Sequence, residues 1–246
     1  MRIAVIADVH GNLEALDVVM ADLKASKPDR VICLGDIVGY GANPQECCTI
    51  VREIAQDTVM GNHDAAAADV IGTADFNDEA RQGIDWTREH LSASSRAWLR
   101  AAPSTVESEG ALFSHGSPVD PEMFGYVVSM HEVEKIFYVL GSNYTIFFVG
   151  HAHRRFVVSQ NIHGSEAPVI DPADVVHLES GRRYIVSVGS IGQPRDMDTT
   201  TSYGILDTDK GIYSVKRLKY AITAARDKIL AAGLPKWLAY RLMIGV

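Results

Sequence analysis

The sequence predicts an α/β protein in which helices pack outside a core of parallel strands, and two observations predict it. At the start of the chain, apolar runs of strand length alternate with polar or glycine-rich loops and with segments of helical periodicity. In the second half, short apolar runs of strand length recur with few helical segments between them. The composition agrees, because 47% hydrophobic and 22% charged residues are typical of a globular chain rather than a disordered or fibrous one.

Units of strand, loop and helix open the chain. Strands are predicted at residues 3–7, 31–34 and 58–60. Apolar positions at helical spacing follow the first strand over residues 13–23, with Asn12 as the N-cap. Pro44 suits the first position of the second helix, which follows the glycine-rich loop 35–41. This alternation predicts that the strands pair in parallel.

The rest of the chain divides into a helical stretch and a strand-rich half. A helical excursion is predicted at about residues 65–103, and further helices at 132–140 and 220–232, the last of which ends at Gly233. Strands are predicted at residues 111–113, 146–149, 156–158, 184–188, 203–206 and 212–215. A polar, proline-containing segment at about residues 160–178 predicts a surface insertion. No linker separates these parts, so we expect a single domain over residues 1–246.

The charge balance and the cysteines exclude several classes of protein. With 23 Lys and Arg against 31 Asp and Glu, the net charge is −8, and we expect no stable binding to nucleic acid. Cys33, Cys47 and Cys48 cannot form a multi-bridge disulfide framework and fit a reducing compartment. The N-terminus carries no signal-peptide pattern, and no uncharged apolar run reaches about 18 residues, so we expect a cytoplasmic protein without a membrane partner. The oligomeric state is left open.

Polar clusters follow predicted strands, at the point where each strand ends. They are Asp8-Val9-His10, Gly35-Asp36, Gly61-Asn62-His63-Asp64, Ser114-His115-Gly116 and Gly150-His151-Ala152-His153. Ligands of open α/β sheets bind outside the carboxyl ends of the strands. We therefore expect these loops to converge on one site.

The converging side chains offer oxygen and nitrogen ligands for metal ions, and no thiolate. The candidate metal ligands are Asp8, His10, Asp36, Asn62, His115, His151 and His153. They exceed the four ligands of a tetrahedral zinc ion and suit two divalent ions that share a carboxylate. We take Mn²⁺ as the first expectation for both ions, with Fe²⁺, Ni²⁺ and Zn²⁺ as alternatives. Two such ions with Asp8 and Asp36 leave a charge of about +2, which attracts phosphate, and they lower the pKa of bound water towards neutrality.

At these motifs the chain resembles the calcineurin-like metallophosphoesterase superfamily, in its compact bacterial branch. The resemblance runs from Asp8 to His153, and the segment 188–196, Val-Gly-Ser-Ile-Gly-Gln-Pro-Arg-Asp, resembles the turn that closes the site in that branch. The resemblance implies a four-layer α/β/β/α sandwich of two mixed sheets. It also implies an enzyme that hydrolyses a phosphomonoester or phosphodiester of a small molecule or nucleotide.

The resemblance assigns roles to individual residues. One metal would be held by Asp8, His10 and His153, the other by Asn62, His115 and His151, and Asp36 would bridge them. A bridging hydroxide would attack phosphorus in line. His63, oriented by Asp64, would act as the general acid towards the leaving group.

Two positions depart from one branch of the superfamily. Phosphoprotein phosphatases and symmetrical diadenosine tetraphosphatases share a Gly-Asp-x-Val-x-Arg-Gly pattern, and this chain has Tyr40 in place of that arginine. The protein phosphatases also carry an arginine where this chain has Met60. Both departures argue against a protein phosphatase or a dinucleoside polyphosphatase. We keep these as alternatives, together with a non-catalytic protein-binding module of the same fold.

Another cation would have to supply the missing phosphate contact. We expect Arg195 or Arg154 to supply it by bidentate hydrogen bonding, with the alternative that Arg195 pairs with Asp196 and only pins its loop. Tyr40 is expected either to stack on a substrate base or to pack its loop. Whether the substrate is a monoester or a diester stays open.

Overall fold

Two six-stranded sheets form the frame of the protein in the computed structural model, which describes residues 1–141, 143–164, 166–171 and 173–246. The strands are β1 (Arg2–Ile6), β2 (Arg30–Cys33), β3 (Asp57–Thr58), β4 (Thr105–Ser108), β5 (Ala111–Ser114), β6 (Ile146–Val149), β7 (Arg155–Asn161), β8 (Val169–Asp171), β9 (Val175–His177), β10 (Arg182–Val188), β11 (Thr201–Asp207) and β12 (Ile212–Leu218). The α-helices are α1 (Leu13–Ser26), α2 (Pro44–Ile54), α3 (Asn62–Ala67), α4 (Asp78–His90), α5 (Ala93–Arg100), α6 (Met130–Leu140), α7 (Ile222–Ala231) and α8 (Lys236–Tyr240).

Both sheets mix parallel and antiparallel pairs. The first sheet has the order β3-β2-β1-β11-β12-β9, in which β1, β2 and β3 pair in parallel and the other pairs are antiparallel. The second sheet has the order β4-β5-β6-β10-β7-β8, in which β5, β6 and β10 pair in parallel. The parallel strands of the first sheet run from its edge at β3 to its centre at β1, and they come from the alternating start of the sequence, as predicted.

The layers follow from the alternation of side chains along each strand. In β1, Ile3 and Val5 face the second sheet and share a core with Phe148, whereas Ile6 points to the opposite face and packs with Leu16 of α1. Because both faces are covered, the strand is apolar on both sides. The same holds for the second sheet, whose outer face packs Phe147 against α6. Helix, sheet, sheet and helix therefore stack as four layers, and the predicted fold class is confirmed.

Several element boundaries differ from the prediction. Strand β3 occupies residues 57–58 rather than 58–60, and β4 (Thr105–Ser108) was not predicted, because its half-buried polar residues hide the strand pattern. The last predicted helix ends where Gly233 adopts φ +71°, but α8 follows Pro235. Pro235 occupies the N-cap position of α8, so helical structure resumes shortly after the glycine that ends α7.

The predicted insertion at about residues 160–178 takes part in both sheets. Strand β8 pairs with β7 at the edge of one sheet, and β9 pairs with β12 at the edge of the other. Residues 165 and 172 of this segment lie outside the described residues. Across the described part of the chain, no helix is both long and apolar enough to cross a bilayer.

Candidate metal centre

Backbone hydrogen bonds tie the polar loops together where the strands end. The amide of Asp8 donates to the carbonyl of Gly35 at 3.0 Å, and the amide of His10 donates to the carbonyl of Asp36 at 2.9 Å. From the far end of the sequence, the amide of Gly192 donates to the carbonyl of Asp8 at 2.8 Å. The loops after β1 and β2 and the turn after β10 therefore form one connected scaffold, and the predicted convergence of the loops is what the structure shows.

The first group of predicted ligands contains Asp8, His10, Asp36 and His153. All of them are buried, and one ligand atom from each lies within 4.8 Å of the others. Nε2 of His10 lies 3.0 Å from Nε2 of His153 and 3.5 Å from Oδ2 of Asp36. Nε2 of His153 lies 3.6 Å from Oδ1 of Asp8. Two carboxylates and two imidazoles thus aim at one small volume.

The second group shares Asp36 with the first. Nε2 of His115 lies 3.2 Å from Oδ2 of Asp36 and 3.1 Å from Nδ1 of His151. Oδ1 of Asn62 lies 3.2 Å from the same His115 nitrogen. All seven predicted metal ligands are therefore brought together, and the Asp36 carboxylate stands between the two groups.

The arrangement of the imidazoles fits a metal ion better than a hydrogen-bond network. His10, His153 and His115 each place Nδ1 against a backbone carbonyl, which can only accept a hydrogen bond, so Nδ1 carries the proton. The carbonyls belong to Val38, Gln193 and Leu34, at 3.0, 2.7 and 2.7 Å. Burial lowers the pKa of His10 and His153 well below the ordinary range, so both rings are neutral. Two acceptor nitrogens then face each other at 3.0 Å with no proton between them, which a cation would resolve.

The carboxylates also fit a cation. Oδ2 of Asp8 is buried and has no hydrogen-bond partner within the described ranges, and burial raises the pKa of Asp8 to about 7. Burial disfavours the charge on Asp36 too, but the neighbouring His115 outweighs it and holds the pKa of Asp36 well below its usual value. Burial likewise disfavours charged His115, yet the Asp36 carboxylate raises its pKa to about 9. A buried, unpartnered carboxylate oxygen is costly unless a cation or donor meets it.

Left-handed backbone conformations concentrate at the site. The affected ligands are Asp8, His10, Asp36, His151 and His153, with φ of 54°, 48°, 52°, 63° and 55°. Such conformations cost about 1–3 kcal/mol each in non-glycine residues and persist only where the surroundings enforce them. The close-packed loops enforce them here, because they turn each side chain inward directly after its strand ends.

Asp64 lies where the sequence placed it but makes different contacts. Its Oδ1 accepts hydrogen bonds from the amides of Ile37 at 2.9 Å and Val38 at 3.2 Å, and Oδ2 accepts from the amide of Gly61 at 3.3 Å. Asp64 therefore joins the loop after β2 to the start of α3. No hydrogen bond joins Asp64 to the ring of His63 within the described residues, which corrects the expectation that Asp64 orients that ring.

His63 is buried beside the metal ligands. Its ring packs against Tyr40 and Phe76, with centroids 4.4 and 5.1 Å away, and Nδ1 has no partner among the described residues. A Cβ at Gly39, where φ is +86°, would stand 2.4 Å from that Nδ1, so only glycine leaves room for the ring. Burial lowers the pKa of His63 to about 4, so the ring is neutral near pH 7.

The two predicted phosphate ligands differ in their surroundings. Arg195 donates from Nε and Nη2 to Oε1 of Gln193, at 3.2 and 2.7 Å, and its guanidinium lies 5.8 Å from the centre of the Tyr40 ring. Its charge helps to lower the pKa of His153, next to burial. Arg154 is exposed and donates Nε to the carbonyl of Arg195 at 3.0 Å. Arg195 is thus the cation beside the site, while Arg154 supports its backbone.

The alternative roles of Arg195 and Tyr40 are also decided by contacts. Asp196 pairs with Arg217 and not with Arg195, so the loop is not pinned by the pairing considered from the sequence. Tyr40 is 8% exposed and belongs to an apolar cluster with Ala225 and Leu238 of the C-terminal helices. It therefore packs its loop, while its ring also lines a cavity beside the site.

Sequence reasoning missed the aromatic residues next to the metal ligands. Tyr126 stacks on His151, with ring centroids 3.8 Å apart, and Phe76 packs on His63. Both lie in irregular loops, where no periodicity marks a residue as part of a site. Only Phe124-Gly125-Tyr126, an aromatic pair around a glycine, offered a signal.

Comparisons with known proteins agree with this fold. The profile of the calcineurin-like phosphoesterase superfamily domain matches residues 1–211. An uncharacterised protein of Methanocaldococcus jannaschii, MJ0912, is 36% identical over 248 residues, which cover 99% of this chain and 98% of that protein. The chain belongs to the calcineurin-like phosphoesterase superfamily. Membership of its compact bacterial branch stays a prediction.

Solved structures show the same architecture over the full length. A metallophosphoesterase from Sphaerobacter thermophilus is 36% identical and superposes with a TM-score of 0.85, covering 100% of this chain and 99% of that one. The hypothetical protein PH1004 from Pyrococcus horikoshii OT3 is 20% identical with a TM-score of 0.80, covering 100% and 98%, and shows the shared fold. The cluster of buried His and Asp residues is accordingly a candidate site for divalent metal.

Proposed function

We propose that this protein is a dinuclear metal-dependent phosphoesterase, which hydrolyses a phosphomonoester or phosphodiester of a small molecule or nucleotide. One observation carries the proposal: buried imidazoles and buried carboxylates form two adjoining groups that share Asp36. Asp8, His10 and His153 complete one group, and the other is completed by Asn62, His115 and His151. Two divalent ions there would activate a water molecule as nucleophile and neutralise phosphate charge. We take Mn²⁺ as the first candidate.

Arg195 is proposed to bind the phosphate. Its guanidinium is held beside the metal ligands by Gln193, and no carboxylate neutralises it within the described part of the chain. A planar guanidinium presents paired N–H donors that match two phosphate oxygens. Replacing Arg195 with Met should raise KM by about tenfold or more, since a hydrogen bond to a charged group is worth about 1.5–3 kcal/mol. An unchanged KM would remove this role.

His63 is proposed to give a proton to the leaving-group oxygen. Its ring lines the cavity beside Asn62 and His151, so a bound ester would meet it. The ring is neutral in the free protein because burial lowers its pKa, and a dianionic phosphate beside it would raise that pKa and favour protonation. Asp64 contributes by fixing the two loops that carry Asp36 and His63.

The test begins with metal. The protein is stripped with chelator, reloaded with Mn²⁺, and assayed on p-nitrophenyl phosphate and bis-p-nitrophenyl phosphate together. We expect turnover that disappears with chelator and returns with metal; the preferred ester then separates monoesterase from diesterase. If two equivalents of metal bind but no phosphoester is turned over, the proposed enzymatic activity is contradicted. The non-catalytic protein-binding module then becomes the favoured function.

Variants separate the metal ligands from the proton donor. His63→Asn should keep the metal content measured by elemental analysis and lose about 10²–10⁴-fold in kcat on esters of alkyl alcohols. The loss should be smaller on p-nitrophenyl phosphate, whose leaving group needs no proton. Equal losses on both esters would argue that His63 binds phosphate rather than donating a proton. His131→Asn, an exposed residue of α6, is the matched control.

A further inference from the structure

A cavity beside the metal centre is walled by aromatic side chains that the chemistry above does not use. Its volume is about 460 Å³, within the roughly 300–1,000 Å³ of small-molecule sites. The aromatic residues that line it are Tyr40, Phe76, Phe124 and Tyr126. Asn62, His63 and His151 line it too, so the cavity opens directly onto the metal ligands. A phosphoester held at those ligands would extend its organic part into this space.

The walls are suited to a flat ring. Tyr126 stacks on His151 with an interplanar angle of 20°, and it remains 51% exposed. Phe76 meets His63 edge-on, with an interplanar angle of 68°. Aromatic walls bind planar rings by stacking and by edge contacts, and base stacking on aromatic side chains is tolerant of sequence and shape.

The charges of the cavity select against further phosphate. Asp75 and Glu122 line it, and both are exposed. No Lys or Arg lines it within the described ranges. Carboxylates accept hydrogen bonds from hydroxyl and N–H groups but repel phosphate. Because these two carboxylates are exposed, their repulsion of phosphate is largest at low salt. An uncharged ring that carries such donors fits both the walls and the charges.

We infer that the organic part of the substrate is a nucleoside, and that the protein selects nucleoside esters with one phosphate over nucleoside polyphosphates. The inference rests on the proposed phosphoesterase function, and it adds the class of substrate. Tyr126 and Phe76 hold the base, Asp75 and Glu122 receive its N–H or ribose hydroxyl donors, and the single phosphate lies at the metal ligands and Arg195.

Binding tests the cavity without turnover. Adenosine, uridine and glycerol are titrated by saturation-transfer NMR into protein stripped with chelator. We expect both nucleosides to bind with a roughly millimolar Kd and glycerol not to bind. Tyr126→Leu should weaken adenosine binding by about tenfold, whereas Tyr138→Leu, 89% exposed on α6, should not. Nucleosides that bind no better than glycerol would overturn the inference.

Turnover tests the selection. On metal-loaded protein, kcat/KM for 5′-AMP should exceed that for glycerol 3-phosphate by about tenfold or more, and should exceed that for ADP. If the enzyme takes only diesters, the same comparison is made between diesters with and without a nucleoside. Asp75→Asn with Glu122→Gln should raise the ADP to AMP ratio of kcat/KM several-fold, and Tyr126→Leu should lower the AMP to glycerol phosphate ratio about tenfold.

The outcomes separate the two proposals. The inference about the nucleoside is overturned if kcat/KM is equal for AMP and glycerol phosphate, or if ADP is preferred. Either result leaves the proposed phosphoesterase activity supported. Adenosine binding with no turnover of any phosphoester supports the cavity and refutes the proposed function.

Discussion

The shared position of Asp36 makes one substitution decisive for both metal sites. Asn at this position keeps the volume of the side chain and the Oδ1 atom that accepts a hydrogen bond from the amide of His63 at 2.8 Å. It removes the negative charge from Oδ2, which lies 3.5 Å from His10 and 3.2 Å from His115. Asp36→Asn should therefore preserve the loop and weaken both metal sites together.

The size of the effect follows from linkage. A ligand present at 100 times its Kd stabilises the folded state by about 2.7 kcal/mol, so two ions contribute about 5 kcal/mol. For a chain of this length, 1 kcal/mol shifts Tm by about 2–4 °C, so saturation with Mn²⁺ should raise Tm of the native protein by about 10–20 °C. Asp36→Asn should lose most of this increment.

The assay is thermal unfolding followed by circular dichroism, with chelator and with Mn²⁺, beside elemental analysis of the dialysed protein. Asp227→Asn, an exposed residue paired with Arg226, is the charge-matched control and should keep the full increment. His10→Ala and His115→Ala should each lose about half. A metal-dependent shift in Asp36→Asn of more than half the native value would refute a carboxylate shared by two ions.

Three further outcomes are expected. First, the free energy of unfolding is measured by urea titration in chelator at pH 7, 8 and 9, and it should fall by up to about 1.4 kcal/mol per pH unit. The reason is that folded His115, with a pKa of about 9, keeps a proton that the unfolded chain releases near pH 6.5. A flat or rising profile would contradict this. Second, Arg183→Met should lower the free energy of unfolding in urea by about 3 kcal/mol, because the buried guanidinium donates to two carbonyls at the end of α6 and to a glutamine. Arg52 is exposed, so Arg52→Met should leave the free energy of unfolding unchanged. Third, Gly61→Ala should reduce the amount of bound metal found by elemental analysis, because the new Cβ would stand 2.2 Å from the Asp36 carboxylate. Gly72→Ala is the control, since no atom lies within 4 Å of its Cβ, and it should bind as much metal as the native protein does. Equal metal content in the two variants would contradict this reasoning.

The metal ligands could be found from the sequence because each follows a strand. Strand ends are marked by a change from apolar to polar residues, and the carboxyl ends of parallel strands share an edge, so the motifs at Asp8, Asp36 and Asn62 point to one place. The fold class could be predicted for the same reason. The sequence did not predict β4 and β9, whose residues are polar or only partly buried. Packing against neighbouring strands, rather than a periodic apolar pattern, makes these segments strands.

The roles of neighbouring residues needed the tertiary structure. Asp64 is adjacent to His63 in sequence, yet its carboxylate turns away to the amides of Ile37 and Val38, since the first turn of α3 points it at the loop after β2. Arg154 directly follows the ligand His153, but its side chain is exposed and donates to the carbonyl of Arg195, whereas the guanidinium of Arg195 lies 5.8 Å from the centre of the Tyr40 ring. Distance along the chain does not report which way a side chain faces after a tight turn.

The sequence by itself determined the candidate donor atoms and their order along the chain. Residue type decides which atoms can bind a metal, and the change from apolar to polar residues marks where each strand ends. The tertiary structure alone decided that Gly39 leaves room for His63 and that Tyr126 covers His151. Each of these is a contact between loops from different strands. Such contacts depend on which strands lie side by side within each sheet, and that order is not contained in any local stretch of the chain.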